Sequence, residues 1–377
     1  MNLIFNQILS KIKTLFNIIL VNITVVFYLF FKKKKIIFFY HSRNQLTKIH
    51  KNYIEQLFKI LDNKCKILYG HTVLNIRDKN YYYLKEGSLK FIFNIKIFIS
   101  NNLCDNFTNK SIRIYIHHDI YDTPLINPIK EKELVKRLLN YNYLFLPNKK
   151  TVLTFYKYIN SFKIPNNKKF LKKIFEVGYF KLDLLRKRIK KKITDKESIV
   201  IAITDIRHIK SMSLILEASN LIKLLLSKTN LKIIFRPYPA NRTLDKIIKI
   251  KNKFKYFDNF IFDDSEDYFN TYASSKCLIT DISGTAYTYA FFTKKPVIFF
   301  TKYEKILNKY RFNNLNYFKD RNKIGFLSSS ISKTIKLVLN IDKFYNSKNK
   351  SINKLQKNFT YINKSQIRIT NLINNML

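Results

Sequence analysis

The hydrophobic positions from Lys35 to about residue 180 follow two alternating patterns. Short, continuous apolar runs end in polar or turn-forming residues, and apolar residues recur at helical spacing between some of them, as in residues 46–61. Continuous apolar runs are typical of parallel strands that helices cover on both faces. The predicted strands of this half are KIIFFYHS, CKILYG, KFIFNIKIFIS, SIRIYIHH, NYLFLPN and KIFEVGYF.

The same alternation starts again at Ser198, after a basic stretch and a polar break. The predicted strands of this second half are IVIAIT, LKIIFRP, NFIFDD, CLIT and PVIFF. Two such series in tandem predict an α/β protein with two Rossmann-like domains that face a cleft. We expect an N-terminal domain at 36–190, a nucleotide-donor-binding domain at 191–327 and a helical tail at 328–377.

Residues 1–35 are predicted to form a separate membrane-associating segment. Leu15–Phe31 contains no charged residue, and the lysines Lys32–Lys35 follow at once. Polar residues nevertheless recur at roughly helical spacing, which gives the segment an amphipathic character. Three arrangements fit this pattern: a helix in the membrane plane, a single span, or a buried core helix. Either membrane arrangement places the rest of the chain at the cytoplasmic face of the membrane.

The charge and composition narrow the function classes. The chain has 70 Lys and Arg against 25 Asp and Glu, a formal net charge of +45. This excess indicates either a phosphate-rich partner, such as an anionic membrane or a nucleotide, or a codon bias that also enriches Asn, Ile, Phe and Tyr. We expect no nucleic-acid partner, because neither a helix-turn-helix nor an RNP motif is present. The cysteines Cys65, Cys104 and Cys277 are widely spaced, which favours a reducing compartment over a disulfide framework or a zinc site.

One turn in the second half has the composition of an anion site. In CLITDISGTAYTYAFF a strand is predicted to end near Thr280, and a helix to begin after Thr285. The first N–H groups of a helix are unsatisfied and lie at the positive end of its dipole. Ser283 and Thr285 add hydroxyl donors, and Gly284 allows close approach and unusual dihedral angles. The pattern predicts a diphosphate-binding turn that Asp281 shapes through backbone N–H groups; the alternative is an ordinary helix cap.

Other candidate residues also follow predicted strands. Arg236 would hold a phosphate oxygen, the alternative being a salt bridge at the strand end. Tyr238 would donate its hydroxyl to the same diphosphate, the alternative being simple packing. His118 is the candidate general base for an acceptor hydroxyl, with His117 as the second choice and a hydrogen-bonded loop histidine as the alternative. Asp119 would orient the imidazole, unless it is only a turn acid.

Two further pairs are weaker candidates. Glu266 and Asp267 would accept hydrogen bonds from ribose hydroxyls, although capping of the following helix is the simpler interpretation. His41 and Ser42 end the first predicted strand, where they would bind the acceptor.

Several of these stretches together resemble the CDP-glycerol glycerophosphotransferase family, the polymerases and primases of teichoic-acid-type polymers. The family's TDYSS and kPvifY resemble TDISG, beginning at Thr280, and PVIFF, beginning at Pro296. Its GYPRLD resembles GYFKLD, its HGTPLK loop is similar in place to HHD and TPL, and its kHP resembles RPYP. The resemblance covers roughly residues 110–300 and is most specific around Asp281. Tyr238 stands where the family has a histidine, and Lys181 where it has an arginine.

The resemblance implies a two-domain GT-B fold and a monotopic membrane enzyme that transfers glycerol phosphate from CDP-glycerol to an acceptor hydroxyl. It implies a donor diphosphate on Ser283, Gly284, Thr285, Arg236 and Tyr238. The acceptor would be lipid-linked or polymeric, and we expect no cofactor and no metal. Two alternatives stay open: a nucleotide-sugar glycosyltransferase of capsule or lipopolysaccharide synthesis, and a non-catalytic partner of such a system.

Overall fold

The described part of the chain forms two α/β units. The computed structural model describes residues 2–41, 48–61, 63–72, 80–122, 131–161, 171–188, 197–206, 213–304 and 315–377. The first unit comprises Met1–His118, Ile129–Phe180 and Tyr361–Leu377, and the second comprises Asp119–Pro128 and Lys181–Thr360. The chain therefore enters the second unit twice, briefly after His118 and again from Lys181 to Thr360, and it ends in the first unit.

The first unit is built on a parallel sheet. Its strands are β1 (Lys35–His41), β2 (Cys65–His71), β3 (Tyr81–Tyr83), β4 (Ile97–Ser100), β5 (Ile112–Ile116), β6 (Tyr143–Leu146) and β7 (Ile174–Glu176). They pair in the order β3-β2-β1-β4-β5-β6-β7. In the register of β1, Phe38 lies opposite Leu68 of β2 on one side and Phe98 of β4 on the other. The helices of this unit are Asn2–Phe30, Lys48–Phe58, Glu131–Leu139, Lys149–Ser161 and Ser365–Asn374.

The second unit is built on another parallel sheet. Its strands are β8 (Ser198–Ala202), β9 (Lys232–Arg236), β10 (Phe260–Phe262), β11 (Ser275–Thr280), β12 (Val297–Phe300) and β13 (Gly325–Ser328). They pair in the order β10-β9-β8-β11-β12-β13. The helix Phe180–Arg188 belongs to this unit from Lys181 onward. The other helices of the unit are Ala218–Lys228, Asp245–Phe254, Phe269–Ser274, Thr285–Thr293, Asn316–Lys319, Arg321–Ile324, Ile331–Leu339 and Tyr345–Gln356.

Apolar strand residues form the core of the second unit. The side chains of Ile199, Ile201, Ile233, Ile279 and Ile298 are fully buried against the flanking helices. Because these strands are covered on both faces, their sequences are continuously apolar rather than alternating. The strand order reverses between β8 and β11, and ligands of open α/β sheets bind beyond the carboxyl ends of strands at such a point.

The helix Asn2–Phe30 packs against the rest of the first unit with Ser10, Thr14 and Asn17 buried along its first half and Val21 and Val25 along its second. Ser10 Oγ lies 2.8 Å from the Tyr83 hydroxyl, and Asn22 Nδ2 donates to the Phe91 carbonyl at 2.9 Å. Large apolar side chains along the same helix are exposed, for example Ile12 and Ile23, each 61% exposed. This arrangement is the reverse of a buried core helix. Among the described residues, Phe5–Phe30 is the one helix that is long and apolar enough to cross a membrane.

The two Rossmann-like sheets and the N-terminal apolar helix confirm the predicted fold class. One predicted strand is only partly correct. KFIFNIKIFIS was expected to be a single strand, but Glu86–Phe91 is a 3₁₀ helix and β4 begins only at Ile97. Asn94 interrupts the run with φ +59°, a left-handed conformation that Asn tolerates better than most residues.

Candidate active site

The predicted diphosphate-binding turn lies directly after β11 in the second unit. The strand ends at Thr280, and the helix Thr285–Thr293 follows with Gly284 as its N-cap. The Thr285 N–H lies 3.4 Å from Ser283 Oγ, which is a long bond for a helix cap. Thr285 Oγ1 forms a stronger hydrogen bond of 2.7 Å with the Tyr272 hydroxyl. The turn therefore places two hydroxyl groups beside the first N–H groups of a nine-residue helix.

The limited space beside Gly284, and not its backbone angles, favours glycine at this position. Its φ of −59° and ψ of −20° are helical, so the expectation of unusual dihedral angles is wrong. A Cβ at this position would lie 3.0 Å from both carboxylate oxygens of Asp119. The Asp119 carboxylate thus lies beside the start of the helix Thr285–Thr293, where the helix dipole favours an anion.

Asp281 joins three segments of the second unit. Its carboxylate accepts hydrogen bonds from the Thr204 N–H at 3.0 Å, the Leu214 N–H at 2.9 Å and the Ser213 hydroxyl at 3.3 Å. Its side chain is buried, and burial raises the pKa of Asp281 to about 6 even though these hydrogen bonds oppose the rise. Asp281 therefore holds the turn in place by binding N–H groups of neighbouring segments as well as its own.

Arg236, at the end of β9, forms a buried ion pair. Its Nη1 donates to Asp263 Oδ2 at 2.6 Å and to Ser265 Oγ at 3.0 Å, while Nη2 donates to the Ser265 carbonyl at 2.9 Å. The side chains of Arg236 and Asp263 are both 8% exposed. Although burial raises the pKa of Asp263, the nearby Arg236 guanidinium and the hydroxyl donors outweigh it and lower the pKa overall. This is the salt bridge at the strand end that the sequence left open as an alternative.

Tyr268 lies near two cations of the same unit. Lys181 Nζ lies 5.1 Å from the centre of the Tyr268 ring, and Arg236 Cζ lies 5.8 Å from it. The Tyr268 ring is 4.8 Å from the ring of Tyr272, whose hydroxyl binds Thr285. A continuous set of contacts therefore connects Lys181, Arg236 and the start of the helix Thr285–Thr293. Burial raises the pKa of Tyr268, so its hydroxyl stays protonated near neutral pH.

The segment after His118 is firmly attached to the second unit. The Tyr121 hydroxyl donates to Asp320 Oδ2 at 2.8 Å, and the Tyr121 ring packs 4.4 Å from that of Tyr287. The Asp122 carboxylate accepts from the N–H groups of Asn316 at 2.8 Å and Tyr317 at 2.9 Å, and so caps a short helix. Burial raises the pKa of Asp122, while these hydrogen bonds partly offset that effect. These contacts fix the backbone that carries Asp119.

His118 is held by groups of the first unit. Its Nδ1 lies 2.7 Å from the Asn101 carbonyl oxygen, and the Tyr179 hydroxyl donates to the His118 carbonyl at 2.9 Å. A carbonyl oxygen can only accept, so Nδ1 carries the proton and the lone pair of the neutral ring is on Nε2. The side chain is half-buried. This tautomer is the one that a general base acting through Nε2 requires.

His117 and His41 have the environments of structural histidines. His117 is 3% exposed, its Nδ1 lies 3.2 Å from the Tyr115 hydroxyl, and its ring packs edge-on against Phe155. His41 is 2% exposed and its Nδ1 lies 3.1 Å from Asn101 Oδ1. Burial of this extent leaves little room for a substrate at either ring.

The predicted site residues divide between the two units. Ser283, Gly284, Thr285, Arg236 and Asp119 belong to the second unit, and His118 belongs to the first. Tyr238 is half-buried before the 3₁₀ turn Pro239–Asn241, and its carbonyl accepts from the Asn241 N–H at 2.8 Å. The His118 ring is held at Nδ1 by the Asn101 carbonyl, and the Asp119 carboxylate lies beside Gly284. Orientation of the imidazole by Asp119 stays a prediction.

The other predicted site residues either form local contacts or lie outside the described residues. Asp267 accepts from the Phe269 N–H at 2.8 Å, which is the predicted capping of the following helix, and it also pairs with Arg188 at 2.7 Å. Ser42 and the TPL stretch at 123–125 lie outside the described residues. In the described ranges, no group of three or more His, Cys, Asp or Glu side chains is arranged to hold a metal ion.

Sequence reasoning missed two side chains of this site. Lys181 was noticed only as a substitution in GYFKLD, and Tyr268 was not considered. Both follow strands, after β7 and β10 respectively, and this position was the available signal. Gly178, three residues before Lys181, has φ +84°, and a Cβ there would lie 2.7 Å from Ser365 Cβ, so the turn requires glycine.

Comparison with known proteins finds similarity in structure and none in sequence. No family model matches the chain, and no curated protein sequence matches it. The structure is similar to that of the wall teichoic acid polymerase TagF, with 20% identity, a TM-score of 0.63 and coverage of 98% of both chains. A TagF variant soaked with CDPG is similar over 99% of this chain and 98% of that one, at 20% identity and a TM-score of 0.62.

Nucleotide-sugar enzymes share the same architecture. The structure is similar to MnaA of S. aureus, determined with UDP, at 12% identity and a TM-score of 0.59, covering 91% of this chain and 98% of that one. It is also similar to a UDP-GlcNAc 2-epimerase of Methanocaldococcus jannaschii in complex with UDP-GlcNAc and UDP, at 13% identity and a TM-score of 0.59, covering 90% and 99%. At these identities the likeness establishes the GT-B-like fold.

Proposed function

We propose that the chain is a transferase of cell-surface polymer synthesis that moves glycerol phosphate from CDP-glycerol to an acceptor hydroxyl. The resemblance around Asp281 and the likeness to TagF over nearly the whole chain both support this proposal. The observation that carries it is the assembly after β11. A helix start with two hydroxyl groups lies in one set of contacts with Lys181 and Arg236, at the carboxyl edge of a parallel sheet.

The donor diphosphate would bind at this helix start. The N–H groups at the N-terminus of the helix Thr285–Thr293 would donate to phosphate oxygens, and the hydroxyls of Ser283 and Thr285 would add further donors. The Lys181 ammonium would neutralise part of the diphosphate charge. Arg236 is occupied by Asp263, so its contribution would be to hold the Ser265 loop and Tyr268 and to add positive potential. Tyr238 is proposed as a further hydroxyl donor.

The reaction needs one proton acceptor. The acceptor oxygen forms a bond to the phosphorus that bears glycerol, the bond from this phosphorus to the bridging oxygen breaks, and CMP leaves with the electron pair. The hydroxyl proton passes to Nε2 of His118, whose tautomer is fixed by the Asn101 carbonyl. A positioned base of this kind contributes roughly 10²–10⁴-fold to the rate.

We also propose that the N-terminal helix lies in the plane of the membrane. Contacts of Ser10 and Thr24 with the Tyr83 and Tyr82 hydroxyls hold its inner side along the first unit, which favours an in-plane helix over a membrane span. Its outward side presents apolar residues such as Phe5, Ile12 and Phe16, each more than 60% exposed. Burial of such surface in the headgroup region, together with Lys32–Lys35, favours an anionic cytoplasmic leaflet.

A nucleotide-sugar glycosyltransferase is the second candidate, because the similar epimerase structures hold UDP or UDP-GlcNAc. Incubation of the purified protein and bacterial membranes with radiolabelled CDP-glycerol, UDP-GlcNAc and a GDP-sugar separates the two candidates. We expect label from CDP-glycerol in the lipid or polymer fraction, with CMP released in equal amount. Transfer from a UDP- or GDP-sugar alone would establish the second candidate. Absence of transfer and of nucleotide binding would support a non-catalytic partner.

A further inference from the structure

The first unit contains a polar cavity that the proposed reaction does not use. Its volume is about 440 Å³, and its lining includes Lys90, Asp105, Asn106, Arg113 and Asn140. It lies between the 3₁₀ helix Glu86–Phe91, the segment between β4 and β5, and the first residues of β5. None of these residues belongs to a motif that the sequence analysis assigned to donor or acceptor.

The cavity lining carries a net positive charge. The one carboxylate among the lining residues, Asp105, pairs with Arg137 at 2.9 Å. Arg113 lies with its guanidinium 4.5 Å from the centre of the Phe107 ring, and its Nη1 lies 3.4 Å from the Asn140 carbonyl oxygen. Lys90 is exposed, with Nζ 5.1 Å from the Phe91 ring. The stacked Arg113 and the exposed Lys90 thus add two cations to amide groups that donate hydrogen bonds.

The cavity adjoins the exposed apolar surface of the N-terminal helix. Asn22 of that helix donates to the Phe91 carbonyl at 2.9 Å, and its Oδ1 accepts from the Phe93 N–H at 3.1 Å. Phe91 and Phe93 are 49% and 47% exposed, next to a helix whose outward residues include Ile19 and Ile23, 53% and 61% exposed. Lys90, which lines the cavity, directly precedes Phe91. A cationic polar cavity therefore opens at the rim of an apolar surface.

We propose that this cavity binds the phosphate-containing headgroup of an anionic phospholipid. The acyl chains would extend over the apolar surface of the N-terminal helix, Phe91 and Phe93, while Lys90 and Arg113 bind the phosphate and the amides of Asn106 and Asn140 bind the rest of the headgroup. A phospholipid joins a charged head to apolar chains, and in the protein the cationic cavity adjoins the apolar surface of the N-terminal helix in the same way. The proposal rests on the proposed membrane association and adds to it a defined lipid site.

Vesicle co-sedimentation of the full chain tests the two ideas separately. Wild-type protein is compared with a Lys90→Gln/Arg113→Gln variant on phosphatidylcholine vesicles and on vesicles that also contain phosphatidylglycerol. We expect both proteins to bind phosphatidylcholine equally through the apolar helix. On phosphatidylglycerol-containing vesicles the variant should bind on the order of tenfold more weakly, since each cation near an anionic surface is worth roughly fivefold in affinity. Failure of wild-type protein to bind any vesicle would refute the membrane association itself.

A variant with the same loss of charge elsewhere provides the control. Lys246→Gln/Lys249→Gln removes two exposed lysines of the helix Asp245–Phe254 in the second unit. An equal loss of vesicle binding in this control would overturn the proposal that the cavity binds a lipid headgroup, because overall charge would then explain the effect. Soluble glycerol phosphate that stabilises the wild-type protein, but not the Lys90/Arg113 variant, in the absence of vesicles would overturn the lipid as ligand in favour of a free phosphate. Circular dichroism melts confirm that both variants are folded.

Discussion

At the scale of single residues, most charged groups near the proposed donor site already bind one another. Arg236 pairs with Asp263, and Asp281 binds backbone N–H groups. Such buried, satisfied groups hold the turns in place but have few bonds left for a ligand. We therefore expect a diphosphate to be recognised mainly by backbone N–H groups and hydroxyls of the turn, with the Lys181 ammonium adding positive charge. We therefore expect the shape of the Gly284 turn to matter more for diphosphate binding than any one charge.

Replacement of Gly284 tests the turn directly. We expect Gly284→Val to weaken the binding of CDP at least tenfold, because the new side chain blocks the approach to the helix start and meets the Asp119 carboxylate. Calorimetric titration with CDP, paired with thermal melts, measures both effects. Gly87→Val is the matched control, since a Cβ at Gly87 has no atom within 4 Å. A loss of melting temperature with unchanged CDP affinity would show that Gly284 is only part of a helix cap.

Asp119 provides a second test of the same position. Its carboxylate lies where a diphosphate is proposed to bind, and two negative groups repel each other. We expect Asp119→Asn to tighten the binding of CDP roughly fivefold, equivalent to about 1 kcal/mol of relieved repulsion. Calorimetric titration measures this. Lower turnover with unchanged CDP affinity would instead support the original idea that Asp119 orients His118.

Asp281 predicts a pH dependence of stability. Burial raises its pKa in the folded state to about 6, above the ordinary value of 3.8. The contribution of this raised pKa to the free energy of unfolding is therefore fully present below about pH 4 and is lost as the pH rises through about 6. The difference in melting temperature between the wild-type protein and Asp281→Asn should therefore decrease as the pH rises from about 4 to about 6. Asp258→Asn, at an exposed position, is the control. A difference that is constant or grows with pH would contradict the raised pKa.

Local sequence patterns predicted only those parts of the candidate site that are formed by neighbouring residues of the chain. The turn after β11 could be found from the strand ending at Thr280 and the hydroxyls around Gly284. The position of the Asp119 carboxylate at Gly284 could not, because the two residues are far apart in the chain and meet only through the fold. The role of the Asn101 carbonyl was equally invisible, since a backbone group leaves no mark on the residue type.

At the scale of elements, the N-terminal helix shows how an amphipathic pattern can be inverted. In a soluble protein the apolar face packs inward, whereas here Ser10, Thr14 and Asn17 are buried and large apolar side chains are outside. The sequence indicated both the apolar run and the spacing of the polar residues, but not which face of the helix would pack against the rest of the first unit. The hydroxyls of Tyr82 and Tyr83 decide this, because they offer partners to Thr24 and Ser10.

Charges on the outward face test the in-plane helix. We expect Ile12→Glu/Ile23→Glu to reduce the membrane-bound fraction on the order of tenfold without lowering the melting temperature, since both residues are exposed. Fractionation and vesicle sedimentation measure this. Leu339→Glu/Ile367→Glu adds the same charge at other exposed apolar positions, each 57% exposed, and should have little effect. Unchanged binding of the first variant would assign membrane attachment to the basic surface.

At the scale of the whole molecule, two Rossmann-like units are connected more than once. The segment with Tyr121 and Asp122 belongs to the second unit although the strand before it belongs to the first, and Tyr361–Leu377 returns to the first. Hydrophobic periodicity predicts the strands of each sheet but contains no information about such exchanges, which depend on side-chain contacts at a distance. A net charge of +45 adds attraction to nucleotides and anionic membranes alike and does not by itself choose between them.

Release of CMP from CDP-glycerol is the most direct test of the proposed transferase. Wild-type protein and His118→Ala are incubated with CDP-glycerol and membranes, and nucleotide products are separated by chromatography. We expect CMP equal in amount to transferred glycerol phosphate, and a rate roughly 10²–10⁴-fold lower for His118→Ala with unchanged CDP affinity. CMP release that His118→Ala leaves unaffected would contradict the assigned base. The absence of CMP from the wild-type reaction, with nucleotide released only from a UDP- or GDP-sugar, would contradict the central claim.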